Sequence, residues 1–139
     1  MNTSPRHVIF GTGAIGLATF DALRRRGETV RLVNRSGSAP VPEDVEVVAG
    51  DAADPRFTTS VTRGAAVVYQ TLNPPYSRWL EDFPALQAGV LAAAHASGAR
   101  LVSMEAGWRL VVVAGGGRKP VPTLRTHRRA GCAPPWRRT

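Results

Sequence analysis

The chain has 139 residues, 43% of them hydrophobic and 20% charged, with a formal net charge of +8 and one cysteine. That length suits one domain with a modest core. The single Cys132 excludes an internal disulfide or a cysteine-cluster metal site, and no apolar run reaches the roughly 18 residues of a membrane span.

Residues 1–6 lead into the first apolar run without a signal-peptide pattern, so a cytoplasmic location is expected. Residues 7–10 read as a short, near-continuous apolar strand, suited to a sheet covered on both faces. Gly11-Thr12-Gly13-Ala14-Ile15-Gly16 follows and opens a helix over 17–26. Leu17, Phe20 and Leu23 supply its apolar face, with Ile15, Ala18 and Ala22 beside them. Arg24, Arg25 and Arg26 suit the C-terminal end of its dipole, and Gly27 stops it. Residues 29–33 form a second strand and 36–40 a loop. Residues 45–48 form a third strand, and 55–63 a short helix. Residues 65–69 form a fourth strand, which Pro74 and Pro75 prevent from continuing. A longer helix spans 84–97, with Pro84 in its first turn, an apolar face of Leu86, Val90, Leu91 and Ala94, and Gly98 at its end. Residues 101–104 form a fifth strand. This alternation predicts an α/β fold with a doubly wound parallel sheet of the Rossmann type.

A glycine-rich turn between a strand and a helix is the context in which G-x-G-x-x-G marks a dinucleotide site. Gly11 permits the tight turn, Gly13 clears space for a pyrophosphate, and Gly16 lets helix and strand approach. The first N–H groups of the helix, around Ala14 and Ile15, then face the phosphates. An acid about 20 residues past the turn would hold the ribose 2′-hydroxyl of NAD. Here the second strand ends at Asn34-Arg35, and Arg35 stands 19 residues beyond Gly16. A guanidinium binds a 2′-phosphate with charge-assisted hydrogen bonds, so NADP is preferred over NAD; the other reading is an exposed arginine at a strand end. Asp51, after the third strand, suits either the adenine amino group or a turn or helix cap. His7, His95 and His127 lack metal-ligand spacing, and no metal is expected.

These residues resemble the NAD(P)-dependent epimerase/dehydratase family, the extended and atypical branch of the short-chain dehydrogenases/reductases. The resemblance rests on Gly11-x-Gly-x-x-Gly16, Asn34-Arg35, Gly50-Asp51-x-x-Asp54, residues 68–76 and residues 101–105, in order, over about residues 6–105. It implies a sugar-like or other small carbonyl substrate, and it adds Asn34, Leu72 and Asn73 to the cofactor contacts. It also implies a Tyr-x-x-x-Lys pair after the fifth strand, with a nearby Ser or Thr. Ser103 loosely matches that serine. The pair is absent: Tyr69 and Tyr76 are the only tyrosines, and Lys119 is the only lysine. Residues 1–105 therefore read as an incomplete NAD(P)-binding domain, truncated after about the fifth strand.

Residues 106–139 form a separate basic, low-complexity segment. Residues 1–105 hold ten arginines against ten acids, whereas 106–139 hold seven arginines, Lys119 and no acid. From 123 to 139 the only aliphatic side chain larger than alanine is Leu124, and disorder is expected. Residues 111–113 suit an edge strand. Three origins are open: a shifted reading frame near residue 105, a basic arm for nucleic acid, or a divergent extension. The first is preferred and nucleic acid is disfavoured. The expected function is thus the NADP(H)-binding part of an oxidoreductase, inactive alone; the alternative is a non-enzymatic, NmrA-like NADP(H) sensor. An exposed sheet edge is expected to promote self-association.

Overall fold

The computed structural model describes residues 6–105 and the strand 109–113. In chain order the elements are β1 (His7–Phe10), α1 (Ala14–Arg25), β2 (Val30–Asn34), β3 (Glu46–Ala49), α2 (Pro55–Val61), β4 (Val67–Gln70), α3 (Trp79–Ser97), β5 (Arg100–Glu105) and β6 (Arg109–Val113). A 3-10 turn, Tyr76–Arg78, leads into α3. The sheet order is β3-β2-β1-β4-β5-β6. The first five strands are parallel, as the Rossmann pattern requires. β6 joins antiparallel, with Val112 opposite Val102 and Val111 opposite Ser103. The sheet therefore runs past residue 105, and residues 111–113 pair at its edge. β6 occupies the edge of β5, which leaves β3 and β6 as the outer strands among the described residues. The remainder of the basic segment, with its expected disorder, lies outside the described residues.

Both faces of the central strands are covered, which is why β1 reads as an unbroken apolar run. Val8, Phe10, Val33, Val68 and Leu101 pack with Val61 of α2 and with Leu86, Val90 and Ala94 of α3. On the other face Ile9 and Leu32 pack with Phe20 of α1, joined by Leu23, Val41, Val45 and Val47. Each large aliphatic side chain buried this way stabilises the fold by about 1.5–3 kcal/mol. Between β2 and β3 there is no helix; the connection is a loop, so the alternation of strand and helix is broken there.

Four helix expectations need correction. α1 starts at Ala14, because Gly13 is its N-cap and the glycine motif contains its first turn. Its buried face is Gly16 and Phe20. Ala18 and Ala22 lie exposed and Ile15 is 45% exposed, since these three follow one another at i+3 and i+4 on the flank away from the sheet. α3 begins five residues before Pro84, which sits inside the helix. There Trp79 stacks on Phe83 with ring centroids 4.4 Å apart, and Arg78 pairs with Asp82. Proline removes the hydrogen bond to the carbonyl four residues back, and that residue, Leu80, is 83% exposed. Leu91 is 50% exposed; Phe83, Leu86, Gly89, Val90, Ala93 and Ala94 are the residues that α3 buries.

α2 and α3 pack closely. A Cβ on Gly89 would overlap the carbonyl oxygen of Ala52, and the buried Thr58 hydroxyl donates to the Gly89 carbonyl at 2.7 Å. Asp54 caps α2 by accepting from the Arg56 N–H at 3.0 Å, with Pro55 in the first turn.

Candidate functional site

A cavity of about 610 Å3 opens at the C-terminal ends of β1, β2 and β4. Strand order reverses there, because β1 is followed in sequence by β2 on one side and joined by β4 on the other. Crevices at such switch points are where open α/β sheets bind ligands. The cavity is bounded by residues 10–15 of the glycine turn, Val33 and Asn34 of β2 with Arg35 just after it, Gly50 and Ala52, residues 71–75, and Arg78, Asp82 and Leu86.

The glycine turn is held from below by the end of β4. Thr71 donates to the Phe10 carbonyl through its N–H (3.0 Å) and its hydroxyl (2.7 Å). Gly11 has φ +106, and a Cβ there would stand 2.6 Å from the Thr71 hydroxyl; both observations require glycine. At Gly16 a Cβ would overlap the Gly11 carbonyl oxygen and lie 2.9 Å from the Thr71 hydroxyl. Gly16 therefore lets α1 close onto the turn. Gly13 differs. Its φ of −77 and ψ of −169 are open to any residue, and a Cβ would meet nothing within 4 Å. It faces the cavity.

Gly13 also caps α1 without a side-chain hydrogen bond, and the first turn carries no acid. The leading N–H groups at Ala14 and Ile15 are thus free of an internal carboxylate, and the positive end of the helix dipole meets the cavity. Two cations, Arg35 and Arg78, line the same space, and Asp82 is the one acid among its lining residues. The set suits an anionic ligand.

The remaining sequence candidates divide. Asn34 lines the cavity but its side chain is engaged: it donates to the Thr12 hydroxyl at 2.9 Å and the Ser38 carbonyl at 2.7 Å, and accepts from the Gly37 N–H at 2.6 Å. It ties the glycine turn to the loop after β2. Arg35 is exposed at the cavity edge. Leu72 and Asn73 line the wall, and Asn73 accepts from the Trp79 indole N–H at 3.2 Å. Gly50 and Ala52 reach the cavity but Asp51 is not among its lining residues; its carboxylate accepts from the Ala53 N–H at 2.9 Å in a local turn. Ser103 is buried at 3% exposure with its hydroxyl unpartnered among the described residues, and it does not line the cavity. Among those residues no group of three His, Cys, Asp or Glu is placed to hold a metal, and no helix is long and apolar enough to cross a membrane.

Sequence reasoning gave Gln70, Thr71, Arg78 and Asp82 no role at the site. The Gln70 amide is fully buried; its Oε1 accepts from the Leu72 N–H and its Nε2 donates to the Leu72 carbonyl at 3.3 Å, which fixes the exit from β4. Arg78 and Asp82 carry a readable signal, since opposite charges four apart pair along a helix. Tyr69 points away from the cavity. Its hydroxyl lies 3.0 Å from His7 Nδ1, and burial, followed by the charge of Glu28, raises its pKa.

The chain matches no protein-family model and no curated protein. It does match solved structures. Uronate dehydrogenase from Agrobacterium tumefaciens, complexed with NAD, aligns with a TM-score of 0.59 at 22% identity over 74% of this chain and 41% of that one. UDP-glucose 4-epimerase from Thermotoga maritima, with UDP-glucose, aligns with a TM-score of 0.61 at 13% identity over 70% and 36%. The Bordetella bronchiseptica enzyme WbmH, in complex with NAD+, aligns with a TM-score of 0.55 at 20% identity over 66% and 35%. The chain thus spans about two fifths of the length of the structures it matches. At these identities the likeness shows the fold: over roughly its first 70% the chain matches the NAD-dependent epimerase/dehydratase and short-chain dehydrogenase/reductase enzymes structurally.

Proposed function

We propose that residues 6–105 bind NADP(H), and that the chain is the cofactor-binding part of an epimerase/dehydratase-like oxidoreductase. The observation that carries this reading is Gly13. Neither backbone conformation nor packing demands glycine there, yet the position borders the uncapped start of α1, where a pyrophosphate would need the room. The fit extends along the cavity. Gly11, Gly13 and the N–H groups of Ala14 and Ile15 would hold the pyrophosphate. Val33, Gly50, Ala52, Leu72 and Leu86 offer an apolar slot for adenine, and Arg35 would take the ribose 2′-phosphate. The dinucleotide, when bound, supplies hydride chemistry. This chain's residues bind and orient it.

The reading includes inactivity of the chain alone. No Tyr-x-x-x-Lys pair is present in the sequence, Ser103 lies off the cavity, and Tyr69 faces the other side of the sheet. A cytoplasmic location goes with this reading, as does a sugar-like or other small carbonyl substrate for an intact relative. The second reading is a non-enzymatic, NmrA-like NADP(H) sensor, in which a missing pair is expected. Turnover assays on the purified chain, with NADP+ and a panel of uronic acids and nucleotide sugars, should show no hydride transfer; measurable turnover overturns the inactivity. A partner captured only with one redox form of the cofactor would favour the sensor.

A shifted reading frame remains the preferred origin of the residues after 105. Resequencing the genomic DNA from codon 95 past codon 139 tests it: a continuing frame that encodes a Tyr-x-x-x-Lys helix supports the shift, and its absence makes the basic segment a genuine extension.

A further inference from the structure

Resting on the NADP(H) reading above, we propose that Arg78 is a second cation for the ribose 2′-phosphate, held by Asp82 until that phosphate arrives. Arg35 and Arg78 reach the cavity from different walls, the end of β2 and the entry to α3. Asp82 belongs to the same wall as Arg78 and also lines the cavity. Arg78 holds it with both arms of the fork: Nε to Oδ2 at 3.0 Å and Nη2 to Oδ1 at 3.3 Å. Glu81 lies farther off, 3.9 Å from Nη2.

The charge of Arg35, across the cavity, bears on the same carboxylate at longer range. Asp82 is held below the usual carboxylate range, first by the Arg78 hydrogen bond, against a smaller opposing effect of burial, then by the charges of Arg78 and Arg35. Two guanidinium groups thus bear on one acid at the cavity edge. Arg78 is 63% exposed along its side chain and Asp82 29%, and an exposed pair four residues apart is weakly held. A phosphate dianion offers a guanidinium the same fork geometry with more charge. Its arrival beside Arg35 would draw Arg78 from Asp82. Asp82 would then act against the ligand, opposing a 2′-phosphate and leaving a 2′-hydroxyl indifferent. Arg78 and Asp82 are therefore specificity-determining residues.

The test is calorimetric titration of the full 139-residue chain with NADP+, NAD+ and 2′,5′-ADP, using wild type, Arg35→Gln, Arg78→Gln and Asp82→Asn. Circular dichroism melts check the fold of each. Arg78→Gln should weaken NADP+ and 2′,5′-ADP about tenfold and leave NAD+ within about twofold, the loss expected for one charge-assisted contact. Asp82→Asn should tighten NADP+ severalfold without moving NAD+. Equal weakening of NADP+ and NAD+ by Arg78→Gln would place Arg78 on the pyrophosphate or adenine and overturn the proposal. So would an Asp82→Asn variant that binds NADP+ more weakly. If wild type prefers NADP+ and only Arg35→Gln removes the preference, the Arg78 proposal fails and the NADP(H) reading stands. If wild type prefers NAD+, or binds neither, the NADP(H) reading fails and takes the Arg78 proposal with it.

Discussion

Replacing Gly13 and Gly16 in turn separates a glycine kept for a ligand from one kept for the fold. Gly13→Val should leave the structure in place. The backbone at 13 suits any residue and nothing lies within 4 Å of the new Cβ. The loss is that of a glycine N-cap to a branched side chain, about 1 kcal/mol, or roughly 4–8 °C in melting temperature for a domain of this size. The valine methyl groups would project into the cavity, and affinity for NADP+ should fall at least about a hundredfold, or roughly 2.7 kcal/mol. Gly16→Ala should behave in the opposite sense. Its Cβ would overlap the Gly11 carbonyl oxygen, and a backbone atom anchored by Thr71 cannot give way without moving the turn. The cost belongs at the upper end of overpacking, about 3 kcal/mol or more, or roughly 12–24 °C. Thermal melts by circular dichroism and titration calorimetry read both quantities. Unchanged NADP+ affinity in Gly13→Val refutes the assigned site, and a Gly13→Val melting loss equal to that of Gly16→Ala refutes the distinction.

Three further outcomes are expected. Arg35→Asp should reverse cofactor preference towards NAD+ in the same titration, because a carboxylate repels the 2′-phosphate and accepts from a 2′-hydroxyl; a variant that still prefers NADP+ removes Arg35 from the site. Thr58→Val keeps the volume but deletes the buried hydroxyl that donates to Gly89, and should cost about 1–2 kcal/mol in urea denaturation; an unchanged midpoint would show that this bond contributes nothing to α2–α3 packing. In a Tyr76→Phe variant Tyr69 is the remaining tyrosine, and its ultraviolet titration should lie above the ordinary value near 10. A raised folded pKa means that the contribution is fully present below about pH 10 and is lost as pH rises through the folded value. Ionisation at or below pH 10 would contradict the burial of that ring against His7.

The central half of the fold was legible because local and global signals agree there. β1 coincides with its apolar run, and the glycine motif sits where strand, turn and helix meet. The misread ends have physical causes. Treating the motif as turn alone hid the first turn of α1. Pro84 read as a helix start, whereas the Trp79–Phe83 stack and the Arg78–Asp82 pair carry α3 back five residues and tolerate the proline inside it. Glycine periodicity pointed to Gly11, Gly13 and Gly16, but could not show that only Gly13 faces open space. Gln70 and Thr71 lay within the matched stretch 68–76 but were given no role, because their work is long-range or local hydrogen bonding at a strand exit, which hydropathy does not encode. Asn34 was legible as a site residue but not as the tie between two loops. Arg78 and Asp82 lie some 40 residues from Arg35 in sequence, and only the fold brings them to one cavity.

The most direct test of the dinucleotide site is calorimetric titration of the 139-residue chain with NADP+ and NAD+, side by side. The account predicts saturable one-to-one binding with NADP+ the tighter ligand. Absence of binding to either dinucleotide, under conditions where the chain melts cooperatively, would contradict it.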